Sequence, residues 1–251
     1  MKNKFKIVTP FYNAEQYIQQ SIESSLNQEY SDFKVIIIND ASTDTSEERI
    51  IDLLKEYGDR IIYIKNEKRM GAMYNHQNAV INYCDSDDIV IQVDGDDWLF
   101  DGGVLSYIDN FYNEHGCMVM YGQAKYLSNR AGNATPYLNK EEFLNKRKNF
   151  KFHVSHVRTF FAKLFHEIVN QDENLSCFKD VNGNWYQMTC DVAMMYPIME
   201  ICGYEKVKYN DVILYIYNDS NPLQDFKIDL VLQETIHKEI IGKEEFKQVN
   251  Y

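Results

Sequence analysis

Three carboxylates stand within four residues at Asp94-Gly95-Asp96-Asp97, directly after the apolar segment 89–93. At a partly shielded site, each pair of such carboxylates repels by on the order of 1 kcal/mol or more. A divalent cation removes this repulsion and takes the carboxylate oxygens as ligands. The alternative is a solvated acidic turn, but the position after a buried strand favours a metal site. A calcium EF-hand is excluded, because the fifth position from Asp94 is Trp98 and the twelfth is Leu105.

Polar residues also follow the two apolar segments nearest the N-terminus, at 9–13 and 39–44. Tyr12 offers a flat ring on which a nucleobase can stack. Asp40 offers a carboxylate that can accept from a ring N–H or a ribose hydroxyl, with a helix N-cap or turn residue as the alternative. The sequence has no G-x-G-x-x-G after the first segment and no G-x-x-x-x-G-K-S/T. A dinucleotide fingerprint and a P-loop NTPase are therefore excluded.

A regular alternation of strands and helices must position these residues. Short apolar segments predict four buried strands: Phe5–Thr9, Phe33–Ile38, Ile61–Ile64 and Ile89–Val93. Between them, helical spacing predicts three helices. The first runs through Ile18, Ile22 and Leu26, with Asn13 as N-cap, and the third runs from Gly71 to about Tyr83. The second has one apolar face made of Ile50, Ile51, Leu54 and Tyr57. This alternation indicates a mostly parallel sheet covered on both faces, which binds ligands at the carboxyl ends of its strands.

The second half of the chain is less regular. It predicts helices over Val104–Tyr112, Arg158–Val169 and Asp191–Cys202, and strands over Cys117–Leu127 and Val212–Tyr217. A further helix is predicted around Leu230–Ile241, in a polar tail that we expect to pack on the core.

Composition narrows the range of partners. The chain of 251 residues has 26 basic and 38 acidic residues and a net charge of -12, which disfavours nucleic acids and anionic membrane surfaces. No apolar run approaches the ~20 residues that a bilayer requires, although peripheral membrane contact stays open. The segment Met1–Lys6 leads into a strand and shows no signal peptide. Five cysteines without a C-x-x-C pair argue against disulfides or a zinc site, so we expect a cytoplasmic protein.

Four motifs within residues 5–100 carry a family resemblance: VTPFYNAEQYI, VIIINDASTD, NEKRMGAMYNHQNA and VDGDDWL, in this order. They resemble the nucleotide-binding half of glycosyltransferase family 2. The resemblance implies a GT-A fold, a nucleotide-sugar donor, a divalent metal (Mn²⁺ or Mg²⁺) and usually inversion at the anomeric carbon.

The matching motifs imply roles for individual residues. The family holds the base at positions that match Thr9, Phe11 and Tyr12. Asp40 matches the contact with uracil, Asp94 with Gly95 the contact with the ribose, and Asp96 the metal ligand on the diphosphate. A basic residue that touches the base is assigned to Arg69 in preference to Lys68, and Asn75 matches the family only loosely because no Arg precedes Asn78.

An inverting transfer needs a carboxylate that takes the proton of the acceptor hydroxyl. The family usually places this base in an E-D or x-D pair about as far along the chain as Asp191, which begins a predicted helix. Cys190 replaces the acidic partner here, so the pair is incomplete. A plain helix N-cap is the alternative for Asp191, and Asp180 and Glu200 are the fallback carboxylates.

Weaker candidates lie elsewhere in the second half. Arg158 can bind the leaving diphosphate through two parallel hydrogen bonds. His153 and His156 are candidates for a metal or diphosphate contact, with an ordinary surface or core histidine as the alternative. The segment 218–222 is a candidate loop that closes on the donor, from which Lys227 could reach phosphate.

Together these features predict a single α/β domain over 1–251, with a Rossmann-like doubly wound sheet. Residues 1–102 bind the nucleotide sugar, 103–218 bind the acceptor and carry the base, and 219–251 form a C-terminal cap. The predicted activity is metal-dependent transfer of a hexose, glucose or galactose in preference, from a UDP-sugar to a hydroxyl of a glycan, lipid-linked or protein-linked acceptor. A non-catalytic nucleotide-sugar or glycan-binding module is the alternative. A sugar nucleotidyltransferase would need a basic, Gly-rich loop at 10–13, which the sequence lacks.

Overall fold

The structure is a computed structural model that describes residues 2–130, 132, 134–221 and 229–251. The strands are β1 (Lys4–Phe11), β2 (Phe33–Asn39), β3 (Ile61–Lys65), β4 (Asp88–Gln92), β5 (Trp98–Leu99), β6 (Val119–Tyr126), β7 (Arg158–Phe161) and β8 (Val207–Tyr217). The helices are α1 (Ile18–Leu26), α2 (Ser46–Glu56), α3 (Ala72–Tyr83), α4 (Val104–His115), α5 (Lys140–Leu144), α6 (Ala162–Gln171), α7 (Cys190–Cys202) and α8 (Leu230–Gly242).

All eight described strands join one continuous sheet in the order β3-β2-β1-β4-β7-β6-β8-β5. β1 pairs in parallel with β2 and β4, and β2 pairs in parallel with β3. β7 lies antiparallel between β4 and β6, while β6 and β8 are again parallel. The predicted doubly wound, mostly parallel α/β sheet is confirmed.

Two hydrophobic cores cover the two faces of this sheet. One core packs α1, α2 and α4 against the sheet, through residues such as Ile22, Ile50 and Ile108. The other packs α3, α6, α7 and α8, through residues such as Val80 and Phe165. The central strands are buried on both faces, which explains why their sequences are continuously apolar.

Among the described helices of the second half, α7 is the most deeply buried, with every residue from 192 to 202 inside the protein. Only its first turn, with Cys190 and Asp191, is partly exposed. The burial of its sides fixes the position of its N-terminus against the carboxyl ends of the strands.

Three local predictions were wrong. Arg158–Phe161 form β7 and not the start of a helix, because pairing with β4 and β6 satisfies their backbone groups and aromatic residues favour strands. Asn13 does not cap α1, which begins at Ile18; its side chain accepts a hydrogen bond from the Thr43 amide. Ile51 is 45% exposed, so it lies off the buried face of α2.

No helix within the described ranges is long and apolar enough to cross a bilayer.

Candidate active site

A cleft of about 420 Å³ opens where β1, β2, β4 and β7 reach the same edge of the sheet. Its walls come from the carboxyl ends of β1 and β4, the start of α3 and the N-terminus of α7. Within the described part of the chain, five aspartates and two arginines line it: Asp40, Asp94, Asp96, Asp97, Asp191, Arg69 and Arg158. The fold therefore gathers most of the polar residues that the sequence singled out.

Asp40 holds one wall of this cleft in place. Its buried carboxylate accepts hydrogen bonds from the backbone amides of Met70 and Gly71, at 2.8 and 2.9 Å, and from the Asn66 side chain at 2.7 Å. Gly71 has a φ of 89°, a conformation that glycine adopts without strain. Asn66 also donates to Asn75 Oδ1, so Asp40 and Asn75 together organise the loop 66–71 beside the cleft.

Tyr12 and Arg69 face each other at the outer end of the same wall. The Arg69 guanidinium lies over the Tyr12 ring, with its carbon 4.1 Å from the ring centroid. Arg69 and Lys68 are exposed, and of the two only Arg69 lines the cleft. A planar base can stack on the Tyr12 ring where the guanidinium lies, or against the guanidinium itself.

Gly95 brings the acidic segment close to the end of β1. A Cβ atom at this position would lie 2.5 Å from the Cβ of Phe11, which no side chain tolerates. The backbone amide of Asp94 donates to the Tyr215 hydroxyl at 3.1 Å, and that hydroxyl donates to Asp97 at 2.9 Å. The close approach and these two hydrogen bonds fix where the carboxylates point.

The carboxylates of Asp96 and Asp97 are held by the segment that follows β8. Asp97 accepts from the backbone amide of Asn218 at 2.7 Å, and Asp96 accepts from the side chain of Asn221 at 2.6 Å. Burial raises the pKa of Asp96. Burial, with the charges of Asp96 and Asp94, raises the pKa of Asp97 well above its usual range. A positive charge at this point would relieve both effects.

The donor set at this point fits a divalent cation. One ligand atom from each of Asp94, Asp97 and His156 lies within 4.8 Å of the others. Burial, and then the charge of Arg158, lowers the pKa of His156 well below its usual range, so its ring is neutral and has one lone pair. This lone pair, on Nδ1, accepts from the Arg158 guanidinium at 3.4 Å. Two carboxylates and a neutral imidazole suit a metal such as Mn²⁺. Asp96, the metal ligand predicted from the sequence, lines the same cleft but lies outside this close group.

Arg158 connects the acidic segment to the predicted base. Its buried guanidinium lies 3.6 Å from Asp94 Oδ2 and 3.1 Å from Asp191 Oδ2. Because β7 runs antiparallel to β4, Arg158 lies directly opposite Gln92 and beside the carboxyl end of β4. The side chain that the sequence assigned to the diphosphate thus lies at the floor of the cleft, between two carboxylates.

Asp191 lies across the cleft from the acidic segment, in the first turn of α7. One oxygen accepts from the Val192 amide at 2.9 Å, and the side chain is 37% exposed. A carboxylate that is fixed by a helix N-terminus and a guanidinium, and is still open to the cleft, can accept a proton from a bound hydroxyl.

Several other candidates lie away from the cleft. Thr9 is fully buried within β1 and does not line it. Asp180 caps its own turn by accepting from the amides of 182 and 184, and Glu200 is buried in ion pairs with Arg147 and Lys146. His153 contacts the Thr135 hydroxyl, also outside the cleft. Lys227 lies outside the described residues.

Sequence reasoning missed several polar residues of the cleft, of which His76 and Gln92 are the most deeply buried. His76 and Gln92 both line it and are 4% and 2% exposed. Gln92 had a signal, since it is the polar residue of the apolar strand IVIQV and shares a face with Asp94. No sequence pattern marked His76 as a cleft residue, because an isolated histidine on the buried face of a helix is usually a core residue.

Comparison with known sequences finds a matching family and several relatives. The sequence matches the family model "Glycosyl transferase family 2" over residues 6–172. It is 32% identical over 114 residues to a teichoic acid poly(glycerol phosphate) polymerase of Staphylococcus epidermidis, which is 45% of this chain and 16% of that protein. It is 25% identical over 205 residues to a chondroitin synthase of Pasteurella multocida, which is 82% of this chain and 20% of that protein. The chain thus spans a fifth or less of the length of these relatives.

Solved structures share the fold. TarS 1-349 of S. aureus in complex with UDP-GlcNAc superposes with a TM-score of 0.62 at 18% identity, over 86% of this chain and 58% of that one. The mannosyltransferase PcManGT of Pyrobaculum calidifontis, in complex with GDP-Man and Mn²⁺, superposes with a TM-score of 0.59 at 14% identity, over 86% and 57%.

Proposed function

Because the chain belongs to glycosyltransferase family 2 and has the GT-A fold, we propose that its cleft transfers a sugar from a nucleotide-sugar donor to an acceptor hydroxyl. One observation carries this proposal: the cleft places a stacking surface, an acidic cation site and a partly exposed carboxylate along one sheet edge. These are the parts that such a transfer requires, in the order in which a nucleotide, a diphosphate and a sugar follow one another.

The nucleotide binds at the ends of β1 and β2. Tyr12 stacks on the base and Arg69 covers it, while Asp40 and the loop that it organises form the wall against the edge of the base. Asp94 and the Gly95 backbone lie next along the cleft, where they meet the ribose. Phe11 and Asn75 complete this end of the cleft.

The diphosphate lies over the acidic segment. Asp96 is the predicted metal ligand, and Asp94, Asp97 and His156 form the group whose spacing fits a cation. A bound Mn²⁺ or Mg²⁺ supplies positive charge that stabilises the leaving diphosphate. The chain itself has a net charge of -12, so a cation at this site also offsets the repulsion between protein and donor.

Asp191 acts as the general base. It takes the proton of the acceptor hydroxyl as the oxygen attacks the anomeric carbon from the side opposite the diphosphate, which inverts the configuration. Arg158 holds the Asp191 carboxylate from below at 3.1 Å. Helix α7 is buried along its sides, so the position of this base relative to β4 is fixed before substrates bind.

We propose UDP as the nucleotide and a hexose, with glucose or galactose preferred, as the transferred sugar. The acceptor is a hydroxyl of a glycan, free or carried by a lipid or a protein. The support is the match of Asp40 to the uracil contact of the family and the likeness to TarS, which was solved with UDP-GlcNAc. The mannosyltransferase solved with GDP-Man makes a guanine nucleotide the alternative to test.

Metal removal should abolish turnover. We expect nucleotide release from a panel of UDP-glucose, UDP-galactose, UDP-N-acetylglucosamine and GDP-mannose to occur with manganese for at least one donor. The same release should fall to background with excess chelator and return on adding manganese. Undiminished donor binding by calorimetry in the chelator would contradict the cation site, and no release from any donor would contradict the transferase.

A second candidate is a non-catalytic module that binds a nucleotide sugar or a glycan. It is favoured by Cys190, which stands where the family usually has an acidic residue next to the base. The same panel separates the two functions, since a binding module takes up the donor without releasing nucleotide.

Removal of the Tyr12 ring should weaken nucleotide binding. Stacking of one base on an aromatic ring contributes about 1–3 kcal/mol, so we expect Tyr12→Ala to lower the affinity for UDP by about tenfold or more. Calorimetry with UDP and manganese measures this directly. Tyr83→Ala, at the exposed C-terminal end of α3, is the matched control and should bind UDP as the wild type does. If the Tyr12 variant bound UDP as tightly as the wild type, the base would not bind at this end of the cleft.

A further inference from the structure

Several buried polar atoms of the cleft have no hydrogen-bond partner among the described residues. Within the described chain, no hydrogen bond is formed by Asn75 Nδ2, Gln92 Oε1, Arg158 Nε or Thr189 Oγ1, although all four atoms are buried and their residues line the cleft. A buried polar atom left unpaired costs about 1–3 kcal/mol. Unpaired buried polar atoms in the wall of a cleft are expected where a ligand supplies the missing partners.

The strand order indicates which part of a nucleotide sugar lies nearest to Gln92 and Arg158. The nucleotide end lies at β2 and β1, the acidic segment follows β4, and β7 comes next, with Asp191 of α7 above it. Neighbouring strands are about 4.8 Å apart, so β7 lies roughly 14 Å from β2. The sugar of the donor must lie beyond the diphosphate and within reach of Asp191, which places it over Gln92 and Arg158.

Gln92 is built into the floor below that position. It is 2% exposed, lies opposite Arg158 in the pairing of β4 with β7, and points to the same side of β4 as Asp94. Its side-chain nitrogen lies 3.8 Å from the Met194 sulfur, a weak acceptor, while its oxygen has no partner among the described residues. His76 lines the same floor from α3, and burial, with the nearby charge of Arg158, lowers its pKa to about 3. Both side chains therefore offer hydrogen bonds without charge.

Arg158, the cation that the described residues place at this floor, already has two anionic partners. Arg158 pairs with Asp94 and Asp191, at 3.6 and 3.1 Å. Among the described residues that line the cleft, the other cation is Arg69, which lies over Tyr12 at the opposite end. A sugar that carries a carboxylate would place a third anion beside Arg158 without a further basic side chain to pair with, since the proposed metal at Asp94 is already shared with the diphosphate. This is unfavourable in a partly buried site.

We propose that Gln92 is a specificity-determining residue for the donor, and that the donor sugar is an uncharged hexose or N-acetylhexosamine that donates a hydrogen bond to Gln92 Oε1. This inference rests on the proposed function and names the class of sugar that the same cleft accepts. A hydroxyl or an acetamido N–H supplies the donor that the buried amide oxygen lacks.

The test compares UDP with UDP-sugars on the same protein. Calorimetry with manganese measures the affinity for UDP, UDP-glucose, UDP-N-acetylglucosamine and UDP-glucuronic acid. We expect the wild type to bind one of the two uncharged sugars at least about tenfold more tightly than UDP-glucuronic acid. Gln92→Met, which fills the same space beside Met194, should lower the affinity for that preferred donor by about tenfold and change the affinity for UDP by less than about twofold.

A matched control separates specificity from folding. Gln77 is also buried, is the neighbour of His76 on α3 and does not line the cleft, so Gln77→Met should keep the preference for the uncharged donor. Equal loss of affinity for UDP and the UDP-sugar in Gln92→Met would make Gln92 a structural residue and overturn the inference. Equal binding of UDP-glucuronic acid by the wild type would overturn the choice of sugar. Failure of the wild type to bind UDP itself would overturn the proposed UDP specificity, and this inference with it.

Discussion

Asp191→Asn should lose transfer by about a hundredfold to ten-thousandfold while the affinity for the donor changes little. General-base catalysis contributes this much to a rate, and an amide of the same shape cannot accept the acceptor proton. The donor contacts proposed above lie on the opposite wall, so they survive the change. The loss should therefore appear in kcat, measured by nucleotide release with a saturating acceptor, and calorimetry with UDP should give a dissociation constant within about twofold of the wild type.

Asp180→Asn is the control for this experiment. Asp180 is a carboxylate in the same half of the chain that caps an exposed turn and does not line the cleft, so its loss should leave transfer unchanged. Normal turnover by Asp191→Asn would mean that another group takes the proton. A parallel loss of UDP affinity would mean instead that Asp191 supports the donor site through Arg158.

Much of this arrangement could be predicted from the sequence. Continuous apolar strands followed by polar loops predicted a doubly wound sheet with its chemistry at one edge, and the motifs at 8–18, 35–44, 66–79 and 93–99 predicted glycosyltransferase family 2 with a GT-A fold. The fold and the family are confirmed. The roles of the individual residues stay predictions, although the cleft does bring Tyr12, Asp40 and Asp191 together.

The rest depended on contacts that a local pattern does not contain. The segment after residue 157 has the spacing of a helix, yet Arg158–Phe161 pair with β4 and β6 because those strands offer free edges. That pairing is what carries Arg158 to the floor of the cleft. The group of possible cation ligands has the same origin, since Asp94 and Asp97 are neighbours in sequence but His156 joins them only because it leads into β7.

The orientation of the four-residue acidic segment was likewise not readable from its spacing. Sequence motifs favour Asp96 as the metal ligand, while the distances group Asp97 with Asp94. Asp97 is almost fully buried and accepts from Tyr215 and the amide of Asn218. Asp96 is partly exposed and lines the cleft, and Asn221 donates a hydrogen bond to one of its oxygens. Substituting Asp96 and Asp97 one at a time shows which of the two carboxylates binds the cation.

Asp96→Asn should abolish transfer and weaken manganese-dependent binding of UDP by about a hundredfold, because the variant loses the anionic side chain that the family motif assigns to the cation. Calorimetry with UDP across a manganese titration measures the loss, and binding without metal should stay as weak as in the wild type. Asp87→Asn removes a carboxylate from the opposite end of β4, where Asp87 forms an exposed ion pair with Lys163, and should behave as the wild type. If Asp96→Asn kept its manganese dependence and Asp97→Asn lost it, the cation would belong to Asp94, Asp97 and His156, and the assignment of Asp96 from the sequence would be wrong.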